Sequence, residues 1–179
     1  MEIIVEDITS LTDERIEYLA TWYSESDYVE DNRYSKETYI YDLQTYRVRE
    51  RSAALYGYID DQLVATAFVL NLTTSRFIQG PKNQEILNYL NEKNLTLDEC
   101  YITGNFFVHL DHRGKNLGRI IKDRSQLVAK DLGYTHIFRF GYFNSNLKSY
   151  IDYNYPTDET NVNRNLTCHK GYEVSLLPI

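Results

Sequence analysis

Val108-His109-Leu110-Asp111-His112-Arg113-Gly114-Lys115-Asn116-Leu117-Gly118 is the stretch on which the fold turns. An apolar, strand-like run stops in it, a basic glycine-containing loop comes next, and an amphipathic helix begins at once. A loop that turns directly into a helix N-terminus aims unpaired backbone N–H groups at one point, and the helix dipole adds positive potential there. Such a place suits an anion, a phosphate group above all. Arg113, Lys115, Arg119, Lys122 and Arg124 crowd the stretch, with Asp123 the one acid inside that span. The same charges would also decorate an ordinary solvated helix face.

Working outward, Tyr101 to Leu110 is expected to be the strand that feeds this loop. Leu117, Ile120, Ile121, Leu127, Val128 and Leu132 form a helical stripe that Gly133 ends as a C-cap, and Thr135 to Phe143 makes the next strand. Strand, loop, helix and strand in that order imply a parallel pair with a right-handed crossover, expected to splay apart near Leu110. Toward the N-terminus, Glu2 to Ile8 is a first strand. Thr12 starts a helix with Ile16, Leu19, Ala20 and Tyr23 on one face, and a second helix spans about Ser35 to Arg49 through Tyr39, Leu43 and Tyr46. Ala53 to Tyr58 and Leu63 to Leu70 flank Ile59-Asp60-Asp61-Gln62, a hairpin signal. Arg76 to Asp98 is an excursion with a short helix carrying Ile86, Leu87 and Leu90. Asn144-Ser145-Asn146 caps a late helix with Leu147, Tyr150 and Ile151 on one face, ending near Asn154 before Pro156. Asn165 to Leu177 supplies the closing strand or strands. No repeat or linker interrupts this order, so residues 1–179 are expected to form one α/β domain, with the excursion at about 76–98 set into it.

The 179 residues are 42% hydrophobic and 25% charged, enough for one globular core. No apolar stretch approaches the ~20 residues that span a bilayer, and the N-terminus has no signal-peptide pattern, so a cytoplasmic protein without membrane contact is expected. The sequons at Asn71, Asn94 and Asn165 are then chance matches, and Cys100 and Cys168 are expected to be small buried hydrophobes in a reducing compartment. Net charge is -7, but Met1 to Asp61 holds 15 acids and 6 bases while Gln62 to Ile179 holds 11 acids and 13 bases. The acidic whole argues against binding along a nucleic-acid backbone. It leaves a local phosphate site untouched.

Arg113-Gly114-Lys115-Asn116-Leu117-Gly118 resembles the acyl-CoA pyrophosphate loop of the GNAT superfamily, the acyl-CoA-dependent N-acyltransferases, usually Arg/Gln-x-x-Gly-x-Gly/Ala. Asn146-Leu147-Lys148-Ser149-Tyr150-Ile151-Asp152-Tyr153-Asn154-Tyr155 resembles the family's late helix, and the element order agrees. The resemblance implies a GNAT-like α/β domain with a mixed central sheet, a splayed parallel strand pair and helices on both faces. It implies an acyl-CoA-dependent N-acetyltransferase with acetyl-CoA as cosubstrate and no metal. Arg113, Gly114, Lys115, Asn116, Leu117 and Gly118 would hold the pyrophosphate, Val108 and Leu110 the thioester and pantetheine arm, and Asn146 would also belong to the cofactor site. Tyr150 would be the general acid for the departing thiolate; read from its helix alone, it is equally a core aromatic. The acceptor would be an amine, a cationic small molecule or basic peptide, because Glu25, Asp27, Glu30 and Asp31 lie where the family's first helices wall the acceptor cleft.

Two family glycines are replaced, by Asn116 and Asn154. Asparagine is the non-glycine residue that best tolerates positive φ, so both positions keep the option of the glycine path. The strand segment Tyr101-Ile102-Thr103-Gly104-Asn105-Phe106-Phe107 lacks the glutamate that often serves as base in the family. Glu99, His109 and Asp111 lie nearby, each also readable as a surface or capping residue. His109 and His112 lack a third ligand at metal spacing. The missing carboxylate, the altered glycines and 17 tyrosines keep a second class open, a noncatalytic GNAT-like binding or assembly module. Oligomeric state, a homo-oligomer included, is left open.

Overall fold

The computed structural model describes residues 1–25, 35–74, 83–142 and 172–179. Their elements run in the order β1 (Glu2–Asp7), α1 (Asp13–Glu25), α2 (Lys36–Tyr46), β2 (Ala53–Ile59), β3 (Gln62–Asn71), α3 (Asn83–Glu92), β4 (Cys100–Val108), α4 (Leu117–Asp131), β5 (His136–Tyr142) and β6 (Tyr172–Pro178). The strands are hydrogen-bonded in chain order, β1-β2-β3-β4-β5-β6, into one mixed sheet. β4 and β5 are parallel, with Cys100 opposite His136 and Tyr101 opposite Ile137 at the start of both strands. β1 with β2, β2 with β3 and β5 with β6 are antiparallel. The α/β class and the parallel pair agree with the sequence.

The molecule divides into two compact units, Met1–Leu70 with Gly104–Val128, and Asn71–Thr103 with Ala129–Ile179. In the first, the β2–β3 hairpin closes through Asp60 and Asp61 at φ 49° and 61°. Two left-handed residues in a two-residue loop make the turn whose twist matches the strands, and aspartate tolerates that region. Ser35 caps α2, its side chain accepting from the Thr38 N–H, and α2 ends at Tyr46, three residues earlier than the expected Arg49. Arg47 pairs with Asp13 and Lys36 with Glu17, tying α2 to α1. Ile16, Leu19, Ala20 and Tyr23 are all buried, as their spacing requires.

The second unit has its own core of Leu72, Ile86, Tyr89, Leu90, Cys100, Phe138 and Leu176. Cys100 is fully buried and free, and burial pushes its thiol up to about 12, so it is the inert hydrophobe the sequence implied. Cys168 lies outside the described residues. Gly133, at φ 85°, ends α4: its N–H donates to the Lys130 carbonyl and that of Tyr134 to Ala129, the paired bonds of a Schellman cap.

The α4 stripe needs correction. Leu117, Ile121, Ser125, Val128 and Ala129 are buried, whereas Ile120 is 42% and Leu127 52% exposed. At ~100° per residue, Ile120 and Leu127 fall ~60–80° to one side of the arc that Leu117, Ile121, Ser125 and Val128 define. The buried serine hid that arc. Its hydroxyl donates to the Lys122 carbonyl at 2.7 Å, which lets a polar residue sit at an apolar position.

Candidate functional site

The loop owes its position to aromatic residues from a distant part of the chain. Phe107, near the end of β4, meets the Trp22 ring edge-on at 5.1 Å and the Tyr23 ring at 5.7 Å, and Tyr23 stacks on Tyr39 at 4.9 Å. Such pairs contribute ~0.5–1.5 kcal/mol each beyond their buried area. The Tyr23 and Thr66 hydroxyls are 2.8 Å apart, and Thr66 donates its single hydroxyl proton to the Asn105 carbonyl at 2.8 Å. Tyr23 must therefore be the donor to Thr66. Full burial holds the Tyr23 phenol far above its ordinary range, consistent with a proton committed to this chain of bonds.

What the hydroxyls hold is a kink. Asn105 has φ 40° in mid-strand, a left-handed residue that bends a β-strand and re-aims the residues beyond it. Gly104 beside it is in close contact: a methyl there would overlap Leu70 Cδ1 and lie 3.3 Å from Tyr46 Cε2. The glycine-asparagine pair inside an apolar strand was the available signal for this bend. Past the kink, the His109 N–H donates to the Val64 carbonyl at 2.8 Å, the last tie to β3 before the loop.

A tight turn over Leu110–His112 comes next, and then two left-handed residues, Gly114 at φ 75° and Asn116 at φ 62°. Asn116 thus adopts the glycine-like path. The first intrahelical bond of α4 runs from the Ile120 N–H to the Asn116 carbonyl at 3.2 Å, so the N–H groups of Leu117, Gly118 and Arg119 have no acceptor within the helix. A Cβ at Gly114 would meet nothing within 4 Å, and one at Gly118 would make only ordinary contacts, with Val108 Cγ2 at 3.6 Å and Phe106 Cζ at 3.7 Å. Among the described residues, no packing contact requires glycine at position 118. Its effect is to leave bare backbone at the helix N-terminus, as a phosphate requires. Val108, Leu110 and residues 113–118 therefore lie in one continuous turn from the end of β4 into α4, with Phe106 44% and Leu110 49% exposed.

The cations are arranged differently from the simple expectation. Arg113 folds back, Nε donating to the Val108 carbonyl at 3.1 Å with its guanidinium carbon 5.6 Å from the Phe107 ring centroid. Lys115 Nζ donates to the Asp111 carbonyl at 3.2 Å. Both shape the loop while keeping positive charge beside it. Arg119 and Lys122 share Asp123, at 3.8 and 3.9 Å.

Of the carboxylate and imidazole candidates, Glu99 serves as a cap. Its Oε2 accepts from the Thr96 N–H at 2.8 Å and hydroxyl at 2.9 Å, and these bonds hold its pKa below the usual range. His109 Nδ1 accepts from the Asp111 N–H at 3.4 Å; its ring lies 5.9 Å from Trp22 and 6.0 Å from His112. Among the described residues, no three His, Cys, Asp or Glu side chains are placed to hold a metal ion. No helix of the described residues is long and apolar enough to cross a membrane. Glu25, the last residue of α1, is exposed. Asp27, Glu30, Asp31, Asn146, Tyr150 and Asn154 lie outside the described residues.

A mixed sheet in this strand order, with the left-handed turn between β4 and α4, is the GNAT acyltransferase fold. The chain matches solved structures of that class along nearly its whole length. An acetyltransferase from Streptococcus agalactiae is 10% identical with a TM-score of 0.62, covering 99% of this chain and 98% of its own. The PaiA N-acetyltransferase of Thermoplasma acidophilum, solved with coenzyme A, is 11% identical at TM-score 0.59 with 100% of both chains covered. The GNAT domain of S. lividans PAT is 14% identical at TM-score 0.60, covering 98% of this chain and 89% of that one. No family model matches the sequence, and no curated protein matches it. The likeness is one of fold.

Proposed function

We propose that this chain is a cytoplasmic N-acetyltransferase that moves the acetyl group of acetyl-CoA onto a primary amine of a small molecule or protein. The observation that carries the reading is the pair of left-handed residues, Gly114 and Asn116, set immediately before the open N-terminus of α4 in a GNAT fold. The N–H groups there, together with the charge of Arg113 and Lys115, suit the pyrophosphate. In the reaction the amine nitrogen attacks the thioester carbonyl carbon, a C–N bond forms and the C–S bond breaks. The departing thiolate takes the Tyr150 hydroxyl proton, and the acylated nitrogen loses its extra proton to solvent. A phenol of ordinary pKa ~10 can serve a thiolate within hydrogen-bond reach. Glu25, Asp27, Glu30 and Asp31 favour a cationic acceptor by raising its encounter rate.

The first test is a thermal shift with acetyl-CoA, since a ligand bound only by the folded state raises the midpoint. Gly118→Glu should abolish that shift and leave the ligand-free midpoint in place, because a Cβ there makes only ordinary contacts. An undiminished shift would remove the pyrophosphate site from this loop. Tyr150→Phe should lower kcat by ~10²–10⁴ with acetyl-CoA affinity unchanged. Near-normal turnover would make water the proton source. A chain that binds acetyl-CoA and acetylates none of a broad amine panel would instead be a binding module.

A further inference from the structure

Among the described residues, one buried cation has no carboxylate to answer it. Arg49, in the link between α2 and β2, is 4% exposed, and its Nε and Nη1 have no hydrogen-bond partner. The guanidinium carbon lies 4.8 Å from the Tyr46 ring centroid. A guanidinium cannot shed its proton to escape burial as a lysine can. A charge taken from water without a partner is costly, and one cation–π contact recovers only part of that cost.

Its place in the fold is as telling as the missing partner. Tyr46 touches both Arg49 and the kinked middle of β4, through the contact at Gly104. The unanswered Nε and Nη1 of Arg49 are donors, so what they lack is an acceptor. Through Tyr46, Arg49 thus borders β4, the strand that continues through Val108 into the loop assigned to the pyrophosphate.

We propose that Arg49 anchors a carboxylate of the acceptor, so that the preferred acceptor carries both the amine to be acetylated and an acid group, as amino acids and peptide C-termini do. This rests on the acetyl-transfer reading above. A single guanidinium beside a neutral aromatic ring matches one negative charge, whereas a phosphate dianion calls for a second cation. Acceptor specificity then depends on the acid group that Arg49 holds.

Binding and turnover are tested separately. In the first arm, melting of the full-length protein is followed with each common amino acid, its amide, and inorganic phosphate. At least one amino acid should raise the midpoint, its amide should not, and Arg49→Met should abolish the rise. Because Arg49→Met deletes an unpaired buried charge while keeping apolar volume, its ligand-free midpoint should be no lower than that of the wild type; if it fails to fold, Arg49→Gln takes its place. In the second arm, kcat/KM with acetyl-CoA should be roughly 10- to 100-fold higher for an amino acid than for its amide, and that ratio should fall to near one in the variant. Equal shifts by acid and amide, no shift by any amino acid, or a shift by phosphate alone overturns the carboxylate anchor. Turnover that ignores the carboxylate sinks the anchor and leaves the acetyltransferase standing. An Arg49-dependent shift with no acetyl transfer to any amine does the reverse.

Discussion

Asn116 permits a test in which backbone and side chain are varied apart. At φ 62° an L-residue sits in the left-handed region, at a cost of ~1–2 kcal/mol that glycine escapes and asparagine partly escapes by local hydrogen bonding. Asn116→Ala should therefore lose about 1 kcal/mol and Asn116→Val about 2 kcal/mol, since β-branching tightens the clash. In a chain of this length about 1 kcal/mol is a fall of roughly 2–4 °C in Tm. Asn116→Gly should stay within a few tenths of a kcal/mol, a relaxed backbone offset by a freer unfolded chain. The same series reports on the proposed ligand, because the Asn116 carbonyl accepts the first intrahelical bond of α4, whose open N–H groups are assigned to the pyrophosphate. Glycine should preserve or tighten acetyl-CoA binding, while alanine and valine should weaken it by tilting the loop. Calorimetric melting and acetyl-CoA titration of all three variants measure both effects. A valine variant as stable as the wild type would refute the left-handed turn. A glycine variant that loses acetyl-CoA while keeping its Tm would mean that the asparagine side chain, not the backbone path, holds the ligand.

Gly104→Ala should cost ~1–3 kcal/mol by denaturant unfolding, since its methyl would overlap the fully buried Leu70 side chain, and Leu70→Val should recover part of it; a loss under about 0.5 kcal/mol would mean the strand shifts freely. His136 gives a pH test. Burial lowers its pKa, with Glu99 opposing, so the unfolded chain binds more protons between the folded value and the ordinary ~6.5, and the stability this contributes is full above that value and lost as pH falls. His136→Gln should flatten the decline in unfolding free energy from about pH 7 to about pH 5, and an unchanged slope would show that other groups carry it.

Much of the fold could be read because its signals are local. Asp60-Asp61, Ser35 and Gly133 each mark a boundary by what their own backbone or side chain does, and each does so in the structure. The loop leading into α4 was legible for the same reason, as a run of consecutive residues. What escaped was which of several available partners or faces a side chain takes. Nothing near Ser125 in sequence says that its hydroxyl will be satisfied and buried, so the α4 face was placed too far round. Glu99, readable as a base or as a capping residue, is the cap, its Oε2 accepting from the Thr96 N–H and hydroxyl. Arg113 looked free for a phosphate, yet part of its hydrogen bonding goes to its own loop. Arg49 carried no signal at all, because an unanswered charge is visible only once its surroundings are known.

The hydroxyl chain from Tyr23 through Thr66 to Asn105 spans 43 and then 39 positions of sequence, which bears on how portable the loop between β4 and α4 is. A fragment from β4 through α4 contains every residue of the motif and none of the groups that bend its strand. Grafted onto another sheet, or expressed alone, it would keep the letters and lose the aim. In the whole protein the same linkage runs in reverse: if α1 peels away, the kink loses its hold and the loop its direction. Amide exchange of Gly114 to Gly118 should therefore track the opening of a helix some ninety residues earlier in the chain, and the competence of the site becomes a report on the integrity of the N-terminal third.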